Sequence, residues 1–265
     1  MISRRPLILA GLALPVAAQA QDIGSTLRPL RIGVTAGPHA QVMERVRDIA
    51  ARDGLALRII EFQDYIQPNV ALAAGDLDAN SYQHQPFLDQ QVRDRRLALV
   101  SLGKTLVFPM GIYSRRHRRV ADIPQGARIA IPNDPTNGGR ALVLLAANGA
   151  FSLREGSDFR ATVADITGNP KRIRVVELDA AQLPRILDEV EAAAINSNFA
   201  LEASLNPVRD AIAIESADSP YANLIAVRQQ DREAPWARRL LAAYQTQEVK
   251  DFVQTTFQGA VVPAF

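Results

Sequence analysis

The sequence predicts an α/β protein of two lobes joined by two crossings, on three observations. Short β-type runs alternate with helix-type runs from residue 30 onward, a second set of the same kind begins near 128, and extended stretches near 106–113 and 223–228 separate the two. Strand–helix alternation implies a mostly parallel sheet covered on both faces. A chain of 265 residues has room for two such units.

The elements follow in order. Leu30 to Val34 reads as a strand, and Val42, Val46, Ile49 and Ala50 then recur at helical spacing. Leu55 to Phe62 is the next strand, and a helix through Val70 to Ala74 stops at Gly75. Leu77 to Tyr82 and a helix from Phe87 to Arg95 complete the first set, and Leu97 to Leu102 and Leu106 to Tyr113 are extended. The second set holds a strand Arg128 to Ile131, a helix Asn137 to Asn148 and a strand Ile173 to Leu178. A helix with Leu183, Ile186, Leu187 and Val190 on one face and a strand Ala192 to Ile195 follow. Asn223 to Val227 is extended, and two helices lie between Pro235 and Phe257. The expected division is residues 21–110 with 226–265 in one lobe and 111–225 in the other.

The first twenty residues have the three parts of an export signal: the charged start Arg4-Arg5, an apolar stretch from Leu7 to Ala18, and the small residues of Ala18-Gln19-Ala20. Ser3-Arg4-Arg5 also fits a twin-arginine signal. Removing this segment takes away two of the 30 basic residues, which leaves them equal to the 28 acidic ones. The pI of 9.1 therefore does not describe the processed chain. Nucleic-acid binding needs a concentrated basic face. The one dense run, Arg115-Arg116-His117-Arg118-Arg119, has no aromatic interleaving and reads as a solvated turn. The chain has no cysteine, so disulfides, thiolate chemistry and Cys-based zinc sites are excluded. Lipid attachment needs a cysteine at the cleavage point, and the sequence predicts a free, soluble protein of the periplasm.

The three histidines, His39, His84 and His117, are scattered and show no metal-ligand spacing. A Gly-x-Ser-x-Gly elbow and a Gly-rich phosphate loop are both missing, and Gly138-Gly139 alone is weak support for a phosphate site. Asp76 and Asp78 read as a polar turn ahead of a strand. No metal or cofactor is expected, nor a catalytic site.

Three constellations can hold a small ligand. In Pro132-Asn133-Asp134-Pro135-Thr136-Asn137-Gly138-Gly139-Arg140 a strand ends, a Pro-rich turn follows and a helix opens with Asp134 or Thr136 as cap. Arg140 sits in the first turns, where the helix dipole disfavours a cation. It is either a bidentate clamp on a ligand carboxylate or an exposed residue of an ordinary helix, and spacing does not separate the two. Phe62, Tyr65, Tyr82, His84 and Phe87 form an aromatic group that walls an apolar pocket or packs a core. Phe62 is expected in the core, Tyr82 and His84 in the cleft. Asn196 and Asn223 follow or begin strands and offer both donor and acceptor, as turn residues also do.

These stretches, with Gly75-Asp76-Leu77-Asp78-Ala79-Asn80-Ser81-Tyr82-Gln83-His84, Ala194-Ile195-Asn196 and Ser219-Pro220-Tyr221-Ala222-Asn223, resemble the NlpA family of methionine-binding lipoproteins over about residues 29–263. The resemblance implies a periplasmic-binding-protein-like fold with the ligand in the cleft between lobes. It implies that Arg140 holds the ligand carboxylate, that Asn196 and Asn223 bond the amino-acid backbone, and that Tyr65, Tyr82 and Phe87 with His84 surround a thioether. The implied partners are L-methionine or a related amino acid, and the inner-membrane permease of an ABC transporter with its ATPase. The implied protein is a monomer that works by lobe closure. The departure is the missing lipobox cysteine. Rivals from other classes are an α/β enzyme acting on a small carboxylic acid and the sensing domain of a receptor.

Overall fold

The computed structural model describes residues 23–265, so the export-signal expectation lies outside the described residues. In chain order the elements are β1 (Leu30–Thr35), α1 (Pro38–Arg52), β2 (Leu57–Phe62), α2 (Gln67–Ala74), β3 (Ala79–His84), α3 (Gln85–Arg95), β4 (Leu99–Val107) and β5 (Gly111–Tyr113). They continue with β6 (Arg128–Pro132), α4 (Pro135–Ala147), β7 (Ser152–Leu153), β8 (Ile166–Gly168), β9 (Arg174–Leu178), β10 (Ala192–Ile195), α5 (Ser197–Glu202) and α6 (Pro207–Asp210). The chain closes with β11 (Ala211–Ile214), β12 (Ala222–Arg228), α7 (Pro235–Tyr244), α8 (Gln247–Phe257) and β13 (Val262–Pro263).

Two sheets result. The first runs β13-β4-β12-β3-β1-β2 and the second β11-β5-β10-β6-β9, with β7 and β8 forming a separate hairpin. The βαβ units pair in parallel, β1 with β2 and β3, and β6 with β9 and β10. The strands that arrive from the other sheet's side pair antiparallel: β12 with β3 and β4, and β5 with β10. Both sheets are therefore mixed rather than mostly parallel.

Strand alternation divides the cores. Along β12, Ile225 and Val227 join the cluster under α1, α7 and α8, while Leu224 and Ala226 face Leu72, Leu77 and Leu88 on the opposite side. Along β10, Ala192 and Ala194 pack beneath α4, and Ala193 and Ile195 pack with Leu183, Leu187 and Phe199. Phe62 is partly buried on the sheet with the Leu72 cluster, as expected. Asp76 and Asp78 lie in the turn ahead of β3, and Asp78 is buried there: it accepts from the Arg31 backbone N–H at 2.8 Å and pairs with the Arg31 guanidinium at 3.0 Å.

Two further expectations change. The stretch with Leu183, Leu187 and Val190 is not an α-helix; after a short 3₁₀ turn at Ala180–Gln182 it advances by three-residue closures such as Arg185 N to Gln182 O and Glu189 N to Ile186 O. Pro184 donates no N–H there, and successive tight turns bury the same three apolar side chains that a helix would. The extended run 223–228 belongs wholly to β12, a central strand buried along nearly its length, so the division expected at 225/226 falls inside one strand. The chain passes between the sheets through Phe108-Pro109-Met110 and returns through 215–221.

Candidate functional site

Helix α4 organises the site. Its cap Asp134 accepts from the Asn137 backbone N–H at 2.9 Å and from Thr136 Oγ1 at 3.0 Å. The same carboxylate takes both contacts of the Asn137 side-chain amide, at 3.0 and 3.1 Å. A carboxylate accepts only, so Asn137 must turn its Nδ2 toward Asp134 and its Oδ1 away. That Oδ1 then accepts from Asn196 Nδ2 at 2.9 Å and from His84 Nε2 at 3.2 Å. His84 Nδ1 accepts from the Phe87 backbone N–H at 3.2 Å, capping α3, which leaves the proton on Nε2. Burial, and secondarily the Arg140 charge, hold the His84 pKa down at about 3, so the ring is neutral.

The chain of constraints assigns polarity to the amides around the cavity. Asn196 turns its Nδ2 to Asn137, and its Oδ1 is buried without a partner among the described residues. Asn223 gives its Nδ2 protons to Tyr82 O at 3.2 Å and His39 Nε2 at 2.9 Å, so only its Oδ1 is free to accept. Asn198 has the opposite sense. Its Oδ1 accepts from Tyr65 Oη at 2.5 Å, and its Nδ2 is a buried donor with no partner among the described residues.

All seven residues expected from the sequence, Arg140, Asn196, Asn223, Tyr65, Tyr82, His84 and Phe87, line one small cavity between the two sheets. The aromatic wall is mutual: Tyr65 lies 5.9 Å from both Tyr82 and Phe87, edge-on to the latter, and Tyr82 donates from Oη to Tyr65 O at 2.8 Å. Burial raises both phenol pKa values, so these hydroxyls are donors at every physiological pH. Phe108, Gln83, Asn137 and Asn198 also line the cavity and were not singled out from sequence. Asn137 lay within the Pro132–Arg140 motif, and Asn198 two residues beyond Asn196. His39 and Glu215 had no local signal at all.

Arg140 is neither an exposed helix residue nor a free clamp. Its Nε reaches Glu215 Oε1 at 2.8 Å and Oε2 at 3.0 Å, and its Nη2 reaches Glu215 Oε2 at 2.5 Å and Phe108 O at 2.9 Å. Its Cζ lies 4.2 Å above the Tyr221 ring. The fork edge suited to a bidentate carboxylate is thus filled from within the chain. Nη1 donates no hydrogen bond among the described residues. Gly138 and Gly139 serve packing: a Cβ on Gly139 would sit 2.1 Å from Phe159 O, and one on Gly138 would sit 2.8 Å from Pro132 O.

Known proteins resemble this chain in fold and in sequence. The family model described as NlpA lipoprotein matches residues 30–265. A D-methionine-binding lipoprotein MetQ of Salmonella typhi is 42% identical over 236 residues, 88% of this chain and 87% of its own. A nutrient binding protein from Burkholderia cenocepacia, solved bound to methionine, is 51% identical with a TM-score of 0.87, covering 89% of this chain and all of that one (100%). An ABC transporter periplasmic substrate-binding protein from Coxiella burnetii is 44% identical with a TM-score of 0.86, over 89% of this chain and 100% of that one. The two-lobed binding-protein fold is therefore shared with proteins of that class.

These relatives correct one expectation. The family and the Salmonella protein are lipoproteins by name, which sets aside the reading of a free, soluble periplasmic protein. That reading rested on the absence of cysteine from the sequence. With a family model spanning nearly all the described residues and relatives above 40% identity, the chain belongs to the NlpA lipoprotein family.

Proposed function

We propose that the chain is the substrate-binding protein of an ABC transporter and that it captures methionine between its two sheets. The observation that carries this is the sorted polarity of the unpartnered groups. Asn196 Oδ1 and Asn223 Oδ1 can only accept, which suits an ammonium, whereas Asn198 Nδ2 and Arg140 Nη1 can only donate, which suits a carboxylate. Orphaned polar atoms in a buried cavity are costly unless a ligand satisfies them. Tyr65, Tyr82 and Phe87 supply edges against which a thioether packs well.

The reading includes binding without covalent chemistry, handover to a permease with its own ATPase, and export under the signal at residues 1–20. All of these groups belong to one chain, which supports a monomer. Lobe closure is supported by two bonds between the units, Tyr65 to Asn198 and His84 to Asn137. The relatives' names bring D-methionine into consideration beside L-methionine.

Thermal denaturation and calorimetric titration of ligand-stripped protein test it, using L-methionine, D-methionine and a methionine-containing dipeptide. A ligand at 100 times its Kd should add about 2.7 kcal/mol to stability. No response to any of the three would sink the methionine assignment. Turnover of a bound amino acid would favour the enzyme reading instead.

A further inference from the structure

His39 does not line the cavity, yet it is buried and held from three sides. β1 ends at Thr35, the chain reverses through Gly37 at φ 75°, and Pro38 opens α1, which swings His39 back over the strand end. Thr35 Oγ1 lies 2.8 Å from His39 Nδ1, and Asn223 Nδ2 lies 2.9 Å from His39 Nε2. The ring stacks on Phe108 at 4.2 Å and 23°. Asn223 Nδ2 also faces the Tyr82 carbonyl, which only accepts, so the amide nitrogen must be the atom on this side. His39 Nε2 is therefore the acceptor, and the Nδ1 proton goes to Thr35 Oγ1.

We propose that His39 is a positioning residue that fixes the Asn223 amide with its oxygen toward the cavity, and so makes the site select ligands that carry an α-ammonium. Without the Nε2 acceptor, Asn223 loses one of the two partners that decide its orientation. A flipped amide would present Nδ2 to the ligand ammonium, donor against donor. The effect belongs to the ammonium alone, because the ligand carboxylate and side chain meet other residues. This rests on the methionine reading above.

The test compares methionine with 4-(methylthio)butanoate, the same molecule lacking the amino group, by titration of ligand-stripped protein. His39→Phe keeps the ring stack and removes both nitrogens. It should weaken methionine about tenfold or more and leave the des-amino acid within about twofold, the ordinary spread of a neutral change. His39→Gln keeps an acceptor near the Nε2 position and should recover most of the loss. If His39→Phe does not fold, Thr35→Val releases the Nδ1 proton with nearly unchanged volume and should show the same selective loss, smaller in size. Equal weakening of both ligands, or of neither, overturns the proposal and leaves His39 a packing residue. Failure of the unaltered protein to bind either ligand instead overturns the functional reading, and this proposal with it.

Discussion

Arg140 and Glu215, seventy-five positions apart, form a doubly hydrogen-bonded ion pair in which the two side chains are only 3% and 11% exposed. Glu215 also accepts from the Met110 backbone N–H at 2.9 Å, and Arg140 donates to Phe108 O, so the pair ties both crossings to the head of α4. The arginine holds this place through its partner and not through the helix dipole.

That relationship changes what removal of the arginine does. Arg140→Ala should abolish ligand binding and also destabilise the fold by about 3–5 kcal/mol, because Glu215 is left buried and unpaired. Adding Glu215→Ala should restore most of the stability and none of the binding. Urea denaturation and calorimetric titration of both variants read the two effects separately. Full stability in the single variant would show that the pair carries no such load.

Tyr65→Phe removes the hydroxyl that crosses between the units to Asn198 Oδ1 and leaves the ring in the aromatic wall. A buried hydrogen bond is worth about 0.5–1.5 kcal/mol, and the stranded acceptor adds to the loss. Methionine affinity should fall about fivefold, mostly through faster release, since the bond forms only when the units meet. An unchanged dissociation rate in a stopped-flow displacement experiment would remove Tyr65 from the closing contacts.

Gly139→Ala sets two effects against each other. Helix propensity favours alanine by about 1 kcal/mol. Against it, the new Cβ would meet Phe159 O at 2.1 Å and Ala161 O at 2.9 Å, both backbone atoms of the segment between β7 and β8. Backbone yields less easily than a side-chain end, and overpacking costs about 1–3 kcal/mol. A lower denaturation midpoint is expected, with ligand binding retained by the folded fraction. A stabilised Gly139→Ala variant would contradict the close approach.

Acid should destabilise the protein ahead of its carboxylates. His39 and His84 are buried neutral, desolvation holding both pKa values at about 3. An unfolded chain titrates histidine near 6.5, so between these values the unfolded state binds more protons and stability falls as pH falls. Each histidine contributes about 2 kcal/mol of loss between pH 7.5 and 5. Urea midpoints over that range should drop accordingly, and His39→Gln should remove about half of the slope. A flat profile would mean that the rings take up protons in the folded state.

The alternation of apolar residues was enough to find most strands and helices, because burial on two sheet faces imposes its period on the residues themselves. It failed at Leu183 to Val190, where tight turns bury the same positions as a helix. The local motifs were equally legible: the Asp134 cap, the run to His84 and the strand-end Asn196 are short-range features whose geometry their neighbours decide. All seven expected residues line one cavity for that reason. What sequence spacing left open was the state of each group. Whether Arg140 was exposed, clamped or paired depended on Glu215, and which way Asn223 faced depended on His39 from the opposite end of the chain. Those partners are separated by 75 and 184 positions. Such contacts carry no local period, because the folding of the two sheets, and not the order of the residues, determines which distant polar atoms must satisfy one another away from water.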